Sequence, residues 1–211
     1  MAQLFDFGLV GLGVMGRNFL LNVADHHFSV IGLDTDDQKV SNLVYEGQSN
    51  NIDGTLDKVK FVEKLASPRK IMLLVPAGDP VDLVIADLLP LLNSGDLIID
   101  GGNSHFEDTN RRFHSLRSNK IYFLGTGVSG GFEGARKGPS IMPGGDRKGY
   151  ELVKPIFEAV AAKVRNEPCV DFLGQGSAGN YVKMVHNGIE YALMQLIGEA
   201  YHIMKIGLQL D

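Results

Sequence analysis

Residues 11–16 decide the fold, and they read Gly11-Leu12-Gly13-Val14-Met15-Gly16, which matches the pattern Gly-x-Gly-x-x-Gly. This segment follows an apolar run of strand length, Phe5–Val10, and opens Val14–Asp25, where apolar residues recur at helical spacing. In such a turn the first glycine permits a tight bend, the second admits a pyrophosphate, and the third allows helix and strand to pack closely. The amino end of the helix supplies N–H groups and partial positive charge. The alternative is an ordinary turn, but the flanking elements favour a dinucleotide site.

The acidic residue Asp34 ends the next predicted strand, where a carboxylate can accept hydrogen bonds from the adenosine ribose. A carboxylate there repels the 2′-phosphate of NADP, for which such enzymes normally provide an arginine. The turn reads Asp34-Thr35-Asp36-Asp37, and the first basic residue after it is Lys39. We therefore expect a preference for NAD, with NADP as the alternative.

Strand-like and helical segments alternate along the chain as far as residue 124. The predicted strands are Phe5–Val10, Phe28–Leu33, Lys70–Val75, Asp96–Asp100 and Lys120–Leu124. The predicted helices are Val14–Asp25, Asp37–Tyr45, Leu56–Leu65, Asp79–Leu89 (with Asp79 as its N-cap), Phe106–Arg117 and Gly149–Ala162. Nearly continuous apolar strands separated by helices predict an α/β fold of the Rossmann type, with a doubly wound, mostly parallel sheet covered on both faces.

Two features distinguish the later part of the chain. Residues 125–145 contain eight glycines, which suggest loops where the backbone approaches a ligand closely. From Ala178 the helical pattern continues to Asp211, and Gly207 is the one stop signal within it. We expect residues 1–177 to form the nucleotide-binding domain. Residues 178–211 would be the first long helix of an all-helical domain that is otherwise absent.

A set of polar side chains lies on this long helix. Lys183, Asn187 and Glu190 are spaced i, i+4, i+7 and share one face, with His186 and Tyr191 beside it. Such groups make an acid–base site if they line a cleft, whereas spacing alone favours a solvated helix face. The apolar flanks predict burial, which favours the neutral form of a lysine; they are Val182, Met184, Val185, Ile189 and Ala192.

Five segments together make the chain resemble the 6-phosphogluconate dehydrogenase family of the β-hydroxyacid dehydrogenase superfamily. They are Gly11–Gly16, Ile99-Asp-Gly-Gly-Asn-Ser104, Gly127-Val-Ser-Gly-Gly131, Pro139-Ser-Ile-Met-Pro-Gly-Gly145 and Lys183-Met-Val-His-Asn-Gly-Ile-Glu-Tyr191. The superfamily shares the first segment and the spacing of Gly179, Lys183 and Asn187. The resemblance extends from about Leu4 to Asp211.

The resemblance implies oxidative decarboxylation of 6-phosphogluconate to ribulose 5-phosphate, a reaction of the pentose phosphate pathway. Lys183 would take the proton of the C3 hydroxyl, and Glu190 would return a proton after CO₂ is lost. The implied substrate ligands are Asn103, Ser129, Gly130, Gly131, His186, Asn187 and, for the phosphate, Tyr191. The implied cofactor ligands are Gly11, Leu12, Gly13, Val14, Met15, Gly16, Asp34, Val75, Ala77 and Asn103.

The family also implies a homodimer whose helical second domain completes the site. The chain runs straight into a predicted strand without a signal-like segment, so we expect a cytoplasmic enzyme. We therefore expect the 211-residue chain to bind cofactor but to turn over poorly. The chain departs from the family pattern in three places. Many members carry Asn-Arg-Thr where this chain has Asp34-Thr35-Asp36, a lysine where it has Pro76, and an acidic residue where it has Phe132. The first departure puts the usual NADP preference in doubt.

Composition excludes several other classes of function. The chain has 20 basic and 25 acidic residues, a net charge of −5, so we expect no nucleic-acid or membrane partner, only a small-molecule substrate. The single cysteine, Cys169, rules out an intramolecular disulfide and a Cys/His metal cluster, and we expect no metal. Two alternatives stay open: a non-decarboxylating dehydrogenase of the 3-hydroxyisobutyrate or tartronate-semialdehyde type, and a non-catalytic nucleotide-binding module. His186, Glu190 and Tyr191 argue against the first.

Overall fold

The computed structural model describes residues 4–47 and 51–210, so the outer limits of the two expected domains, residues 1 and 211, lie outside the described residues. The strands are β1 (Phe7–Val10), β2 (Val30–Leu33), β3 (Ile52–Thr55), β4 (Lys70–Leu73), β5 (Leu97–Asp100), β6 (Tyr122–Ser129), β7 (Ser140–Gly145), β8 (Lys163–Val164) and β9 (Glu167–Pro168). The helices are α1 (Val14–Asp25), α2 (Asp37–Glu46), α3 (Lys58–Glu63), α4 (Asp79–Leu88), α5 (Phe106–Ser118), α6 (Gly131–Lys137), α7 (Arg147–Val160) and α8 (Ala178–His202).

Seven strands form one sheet in the order β3-β2-β1-β4-β5-β6-β7. All neighbouring pairs are parallel except β6 and β7, which are antiparallel. The order runs outward in both directions from β1, as in a doubly wound sheet. The predicted Rossmann-type, mostly parallel α/β fold is therefore confirmed.

The sheet is covered on both faces by apolar side chains. On one face, Phe19 of α1 and Phe157 of α7 are fully buried and meet edge to face, with ring centroids 6.5 Å apart. On the other face, Phe61 of α3, Ile85 of α4 and Phe113 of α5 pack over the strands. The central strands β1, β4 and β5 are buried on both sides, which explains their unbroken apolar sequence.

The glycine-rich region differs most from expectation. Most of it forms strands rather than loops, because β6 continues to Ser129 and β7 pairs with it through Pro143 and Gly144. A Cβ on Gly127 would lie 2.5 Å from the Cβ of Lys183. The prediction that these glycines allow a ligand to approach the backbone was therefore wrong for Gly125, Gly127 and Gly144. At these strand positions the missing side chains make room for α8. β3 and β7 were absent from the predicted set because neither has a strong apolar alternation.

Two further predictions were wrong. Gly78, with φ +90°, is the N-cap of α4, so Asp79 already lies within the helix. The apolar flanks of α8 are exposed, Val185 by 43% and Ile189 by 59%, because only the first turns of this helix pack on β6 and β7. A π-helical turn, Ile203–Gly207, follows α8. Among residues 4–47 and 51–210, no helix is both long enough and apolar enough to cross a membrane.

Candidate functional site

The first glycine loop joins β1 to α1 and has the geometry that a dinucleotide requires. Gly11 has φ +97°, and a side chain there would collide with the Leu74 carbonyl. A side chain on Gly16 would collide with the Gly11 carbonyl, so this glycine lets α1 pack against the loop. Above Gly13, by contrast, the described residues leave the Cβ position without a neighbour within 4 Å. The one open glycine is therefore the one that should face a pyrophosphate.

The amino end of α1 is open in the same direction. No side chain of the described residues caps it, and its first turn contains no acidic residue. Its leading N–H groups and the positive end of the helix dipole are therefore available to an anion. Val14 is 60% exposed at this end and Met15 is half-buried. The residues present thus fit a bound dinucleotide.

The Asp34 carboxylate is held by the protein itself. Its Oδ2 accepts a hydrogen bond from the Leu12 N–H at 2.7 Å, and its Oδ1 accepts one from the Asp36 N–H at 3.0 Å. The Lys39 ammonium lies 3.5 Å from Oδ1. Asp34 therefore locks the glycine loop to the end of β2, and a cation lies nearer to it than the sequence suggested. Leu12 meets Asp34 through its backbone, because its side chain is buried in the core.

A cleft of about 530 Å³ opens beside this carboxylate. It lies at the carboxyl ends of β1, β2 and β4, where ligands bind in open α/β sheets. Among the residues that line it are Gly11, Asp34, Thr35, Val75 and Lys58. The cleft has the position expected for the adenosine half of a dinucleotide.

The loop after β4 connects this cleft to a second one. Val75 lies 3.0 Å from the Cβ position of Gly11, and its carbonyl oxygen lies 3.2 Å from that of Gly102. Ala77, further along the same loop, is exposed. Val75 therefore places the glycine loop next to the loop after β5, which carries Asn103.

The second cavity has a volume of about 360 Å³. Four predicted site residues line it: Asn103, Lys183, Asn187 and Tyr191. It is also lined by Ser104, His105, Asn180, Met184 and Gly188, which the sequence analysis did not select. Asn180 could have been found, since it shares a helix face with Lys183 and Asn187 one turn earlier.

Lys183 is the buried cation of this cavity, with 9% of its surface exposed. Its burial against β6 lowers the pKa of the ammonium below its usual value, and the Glu190 carboxylate opposes this with a smaller effect. A buried amine that gives up its proton readily is suited to act as a base.

The remaining predicted residues do not line the cavity. Ser129, Gly130 and Gly131 lie where β6 passes into α6, and the two glycines are exposed. The Nδ1 atom of His186 lies 3.2 Å from Oδ1 of Asn187 and 3.7 Å from Oε2 of Glu190. Glu190 itself is exposed, so the structure brings the predicted base, but not the predicted acid, into the cavity. No group of three or more His, Cys, Asp or Glu side chains in the described part of the chain could hold a metal ion.

Two family models match the chain. The NAD binding domain of 6-phosphogluconate dehydrogenase matches residues 6–174, and the C-terminal domain of 6-phosphogluconate dehydrogenase matches residues 179–211. The decarboxylating 6-phosphogluconate dehydrogenase 1 of Saccharomyces cerevisiae is 54% identical over 95% of this chain and 41% of its own length. The NADP(+)-dependent decarboxylating enzyme of Bacillus subtilis is 51% identical over 98% of this chain and 44% of its own length.

A solved structure agrees with these relatives. The 6-phosphogluconate dehydrogenase of Plasmodium falciparum, described as apo, with NADP+ and with 6-phosphogluconate, superposes with a TM-score of 0.93 at 43% identity. The match covers 98% of this chain and 44% of that one, so the chain spans about two-fifths of the length of the relatives it matches. The matched domain binds a nicotinamide nucleotide by its description, and the loop geometry above suits that ligand. The chain belongs to the 6-phosphogluconate dehydrogenase family.

Proposed function

We propose that this chain is the nucleotide-binding part of an enzyme that oxidises and decarboxylates 6-phosphogluconate, giving ribulose 5-phosphate and CO₂. One observation carries the proposal: the cavity formed by Asn103, Lys183, Asn187 and Tyr191 adjoins the glycine loop through Val75. This neighbourhood supports the proposal that Lys183 is a base acting next to the nicotinamide. The names of the relatives, among them the Plasmodium enzyme studied with this substrate, support the same reaction.

Lys183 acts as the base in this proposal. Its neutral amine takes the proton from the C3 hydroxyl, while Asn187, one turn along the same face, orients the sugar acid. A bound nicotinamide supplies the acceptor for the hydride that leaves C3. Tyr191, which also lines the cavity, contacts the substrate phosphate, and Asn103 lies between sugar and cofactor.

Decarboxylation then requires an acid. The C1–C2 bond of the 3-keto acid breaks, CO₂ leaves, and the electron pair is delocalised into an enediolate. Glu190 returns a proton to the carbon that becomes C1 of the product. The Nδ1 atom of His186 lies 3.7 Å from the Glu190 Oε2 atom, and in this proposal His186 contacts the substrate beside that carboxylate. Ser129, Gly130 and Gly131, at the end of the strand beneath Lys183, contribute backbone and hydroxyl contacts to the carboxylate.

For the cofactor we propose NAD in preference to NADP. The turn at residues 34–37 carries three carboxylates, and Lys39 is already paired with one of them. A 2′-phosphate there would be repelled. The Bacillus relative is described as NADP(+)-dependent. Our proposal therefore assigns this chain a different cofactor preference, because of the negative charge of the turn at residues 34–37.

We further propose the division at residues 177 and 178, and that residues 1–211 alone bind the nucleotide but turn over slowly. Glu190 and Tyr191 lie on an exposed stretch of α8 in this structure, which supports the second point. The family resemblance supports a homodimer for the full-length enzyme, and we propose a cytoplasmic location for it. Nucleotide titration, turnover and sedimentation of both forms test these statements. Rapid turnover by residues 1–211 would contradict them.

The decisive experiment measures nucleotide reduction and CO₂ release by the full-length enzyme with 6-phosphogluconate. We expect both in equal amounts, with a lower KM for NAD than for NADP. Oxidation of 3-hydroxyisobutyrate without CO₂ would support the rival dehydrogenase, and nucleotide binding without turnover of any hydroxy acid would support a non-catalytic module. Lys183→Met, which keeps the apolar stem, should lower kcat by roughly 10²–10⁴-fold.

A further inference from the structure

Behind the loop that carries Asn103 lies a buried arginine that the mechanism does not use. Arg112 of α5 has 2% of its side chain exposed. Its Nε and Nη2 donate to the Asp82 carboxylate of α4 at 2.9 and 2.8 Å. Its Nη1 donates to Asp100 at 3.2 Å and to the Ser104 hydroxyl at 3.1 Å, and its Nη2 also donates to the Gly78 carbonyl at 3.0 Å. These five bonds account for all five N–H groups of a guanidinium.

Three of the four partners of Arg112 lie at the ends of two loops that approach the site, and the fourth, Asp82, lies on α4. Gly78 ends the loop after β4, which contains Val75 and Ala77. Asp100 and Ser104 bracket the loop after β5, which contains Asn103. A single buried side chain therefore joins the loop expected to contact the nucleotide to the loop expected to contact the substrate.

Asp100 links Arg112 to the loop after β5 through hydrogen bonds. The carboxylate is fully buried, and it accepts hydrogen bonds from the Gly102 N–H at 3.1 Å and from the Ser104 hydroxyl at 2.7 Å. Burial raises the pKa of Asp100, whereas these two donors and Arg112 act in the opposite direction. On the other side of the loop, Asn180 of α8 donates to the Gly102 carbonyl at 3.3 Å. Asn180 lies one turn before Lys183, so the loop is held between Arg112 and the helix of the proposed base.

We propose that Arg112 is a positioning residue: through Asp100, Ser104 and Gly78 it holds the two loops in register, so that Asn103 keeps its place relative to Lys183 and the nucleotide. This inference rests on the proposed function of the cavity. Arg112 does not touch the cavity, so it acts entirely through its partners. Displacement of a substrate-contacting group by about 1 Å can cost on the order of 100-fold in rate.

The chain offers a matched control for a purely structural role. Arg69 pairs with Asp96 at 2.9 Å, and both are largely buried, with 14% and 2% of their side chains exposed. Arg69 and Asp96 precede β4 and β5, whereas Gly78 and Asp100 lie at or after the carboxyl ends of the same strands. The Arg69–Asp96 and Arg112–Asp100 pairs are therefore chemically alike, and they lie at opposite ends of the same strands.

The test compares Arg112→Lys with Arg69→Lys in the full-length enzyme. A lysine keeps the charge but cannot span Asp82 and Asp100. We expect both variants to lower the urea midpoint, but only Arg112→Lys to lower kcat/KM on the order of 100-fold and to weaken nucleotide binding. Hydrogen exchange at residues 75–79 and 101–105 should rise in Arg112→Lys alone. Asp82→Asn, at a partly exposed partner, should give the same pattern with a smaller loss if Arg112→Lys fails to fold.

Each outcome bears on the inference. If Arg112→Lys loses stability but keeps kcat/KM and nucleotide affinity within twofold, or if Arg69→Lys lowers catalysis equally, Arg112 is merely structural. If the wild-type enzyme binds nucleotide but does not oxidise 6-phosphogluconate, the proposed function fails. The inference is then decided by nucleotide affinity and by exchange in the two loops.

Discussion

Lys183 packs directly over Gly127: a Cβ placed on this glycine would lie 2.5 Å from the Cβ of Lys183 and 3.0 Å from its Cγ. The backbone of β6 thus forms the floor on which the proposed base rests. The absence of a side chain at residue 127 allows α8 to come this close. The depth at which the lysine is buried, and hence the lowering of its pKa, depends on that contact.

Gly127→Ala should push α8 away from β6. We expect a loss of about 1–3 kcal/mol in the free energy of unfolding, as for other overpacked sites, together with a fall in kcat. Gly198→Ala is the control, because in the described part of the chain its Cβ position has no neighbour within 4 Å outside its own helix backbone, and alanine favours a helix. Urea denaturation and turnover check both variants. Equal stability of Gly127→Ala and the wild type would contradict the packing argument.

Gly13→Ala and Gly16→Ala should separate binding from folding. The space above Gly13 is open, so alanine there should leave the free energy of unfolding unchanged but weaken nucleotide binding by roughly tenfold or more through lost phosphate contacts. Gly16→Ala should instead destabilise the fold, because its Cβ would collide with the Gly11 carbonyl. Calorimetric titration with NAD and urea denaturation measure the two effects. Unchanged nucleotide affinity in Gly13→Ala would place the pyrophosphate elsewhere.

The pH profile should report the state of Lys183. The base must be neutral, so kcat/KM should rise with pH and level off below the pKa of an ordinary lysine, since burial lowers this pKa. Glu190→Gln removes the carboxylate that raises the Lys183 pKa, so the ascending limb should move to lower pH at a reduced overall rate. Glu199→Gln, further along α8, should leave the limb in place. If the ascending limb of Glu190→Gln moved to higher pH instead, the Glu190 carboxylate would not be raising the pKa of Lys183.

Thr35→Arg should shift the cofactor preference towards NADP. Thr35 is exposed and lines the cleft beside Asp34, so an arginine there can reach a 2′-phosphate. We expect the dissociation constant for NADP, divided by that for NAD, to fall by roughly tenfold or more. This change corresponds to the free energy of about 1.5 kcal/mol that one hydrogen bond to a charged group contributes. Thr35→Gln adds length without charge and serves as the control. A similar shift in Thr35→Gln would show that charge is not the cause.

The nucleotide-binding half of the fold could be predicted because its signals are local. The glycine spacing at residues 11–16 and the apolar strands each determine structure within a few positions. β7 could not be predicted, since Pro143, Gly144 and Gly145 disfavour strands. It forms only because β6 offers a pairing edge and α8 requires a surface without side chains.

The candidate site divides in the same way. Helical spacing placed Lys183 and Asn187 on one face with Tyr191 beside it, and the resemblance added Asn103; all four line one cavity. The bonds of Arg112 to Asp82 and to the Gly78 carbonyl span 30 and 34 positions. No local pattern reports such contacts. The prediction that the α8 flanks are buried was wrong. An apolar side chain favours burial, but its sequence position does not say whether any described residue packs against it.

The engagement of Asp34 by Leu12 and Asp36 has a consequence for how this family can diverge. A change at residue 34 would alter both the proposed ribose contact and the backbone turn that Asp34 fixes, so selection on cofactor use there is coupled to selection on folding. Thr35 does not fix the turn in this way. It is exposed, and among the described contacts its side chain accepts no hydrogen bond from the glycine loop. Exchange of one nicotinamide coenzyme for the other is therefore more accessible to evolution through residue 35 than through its acidic neighbour.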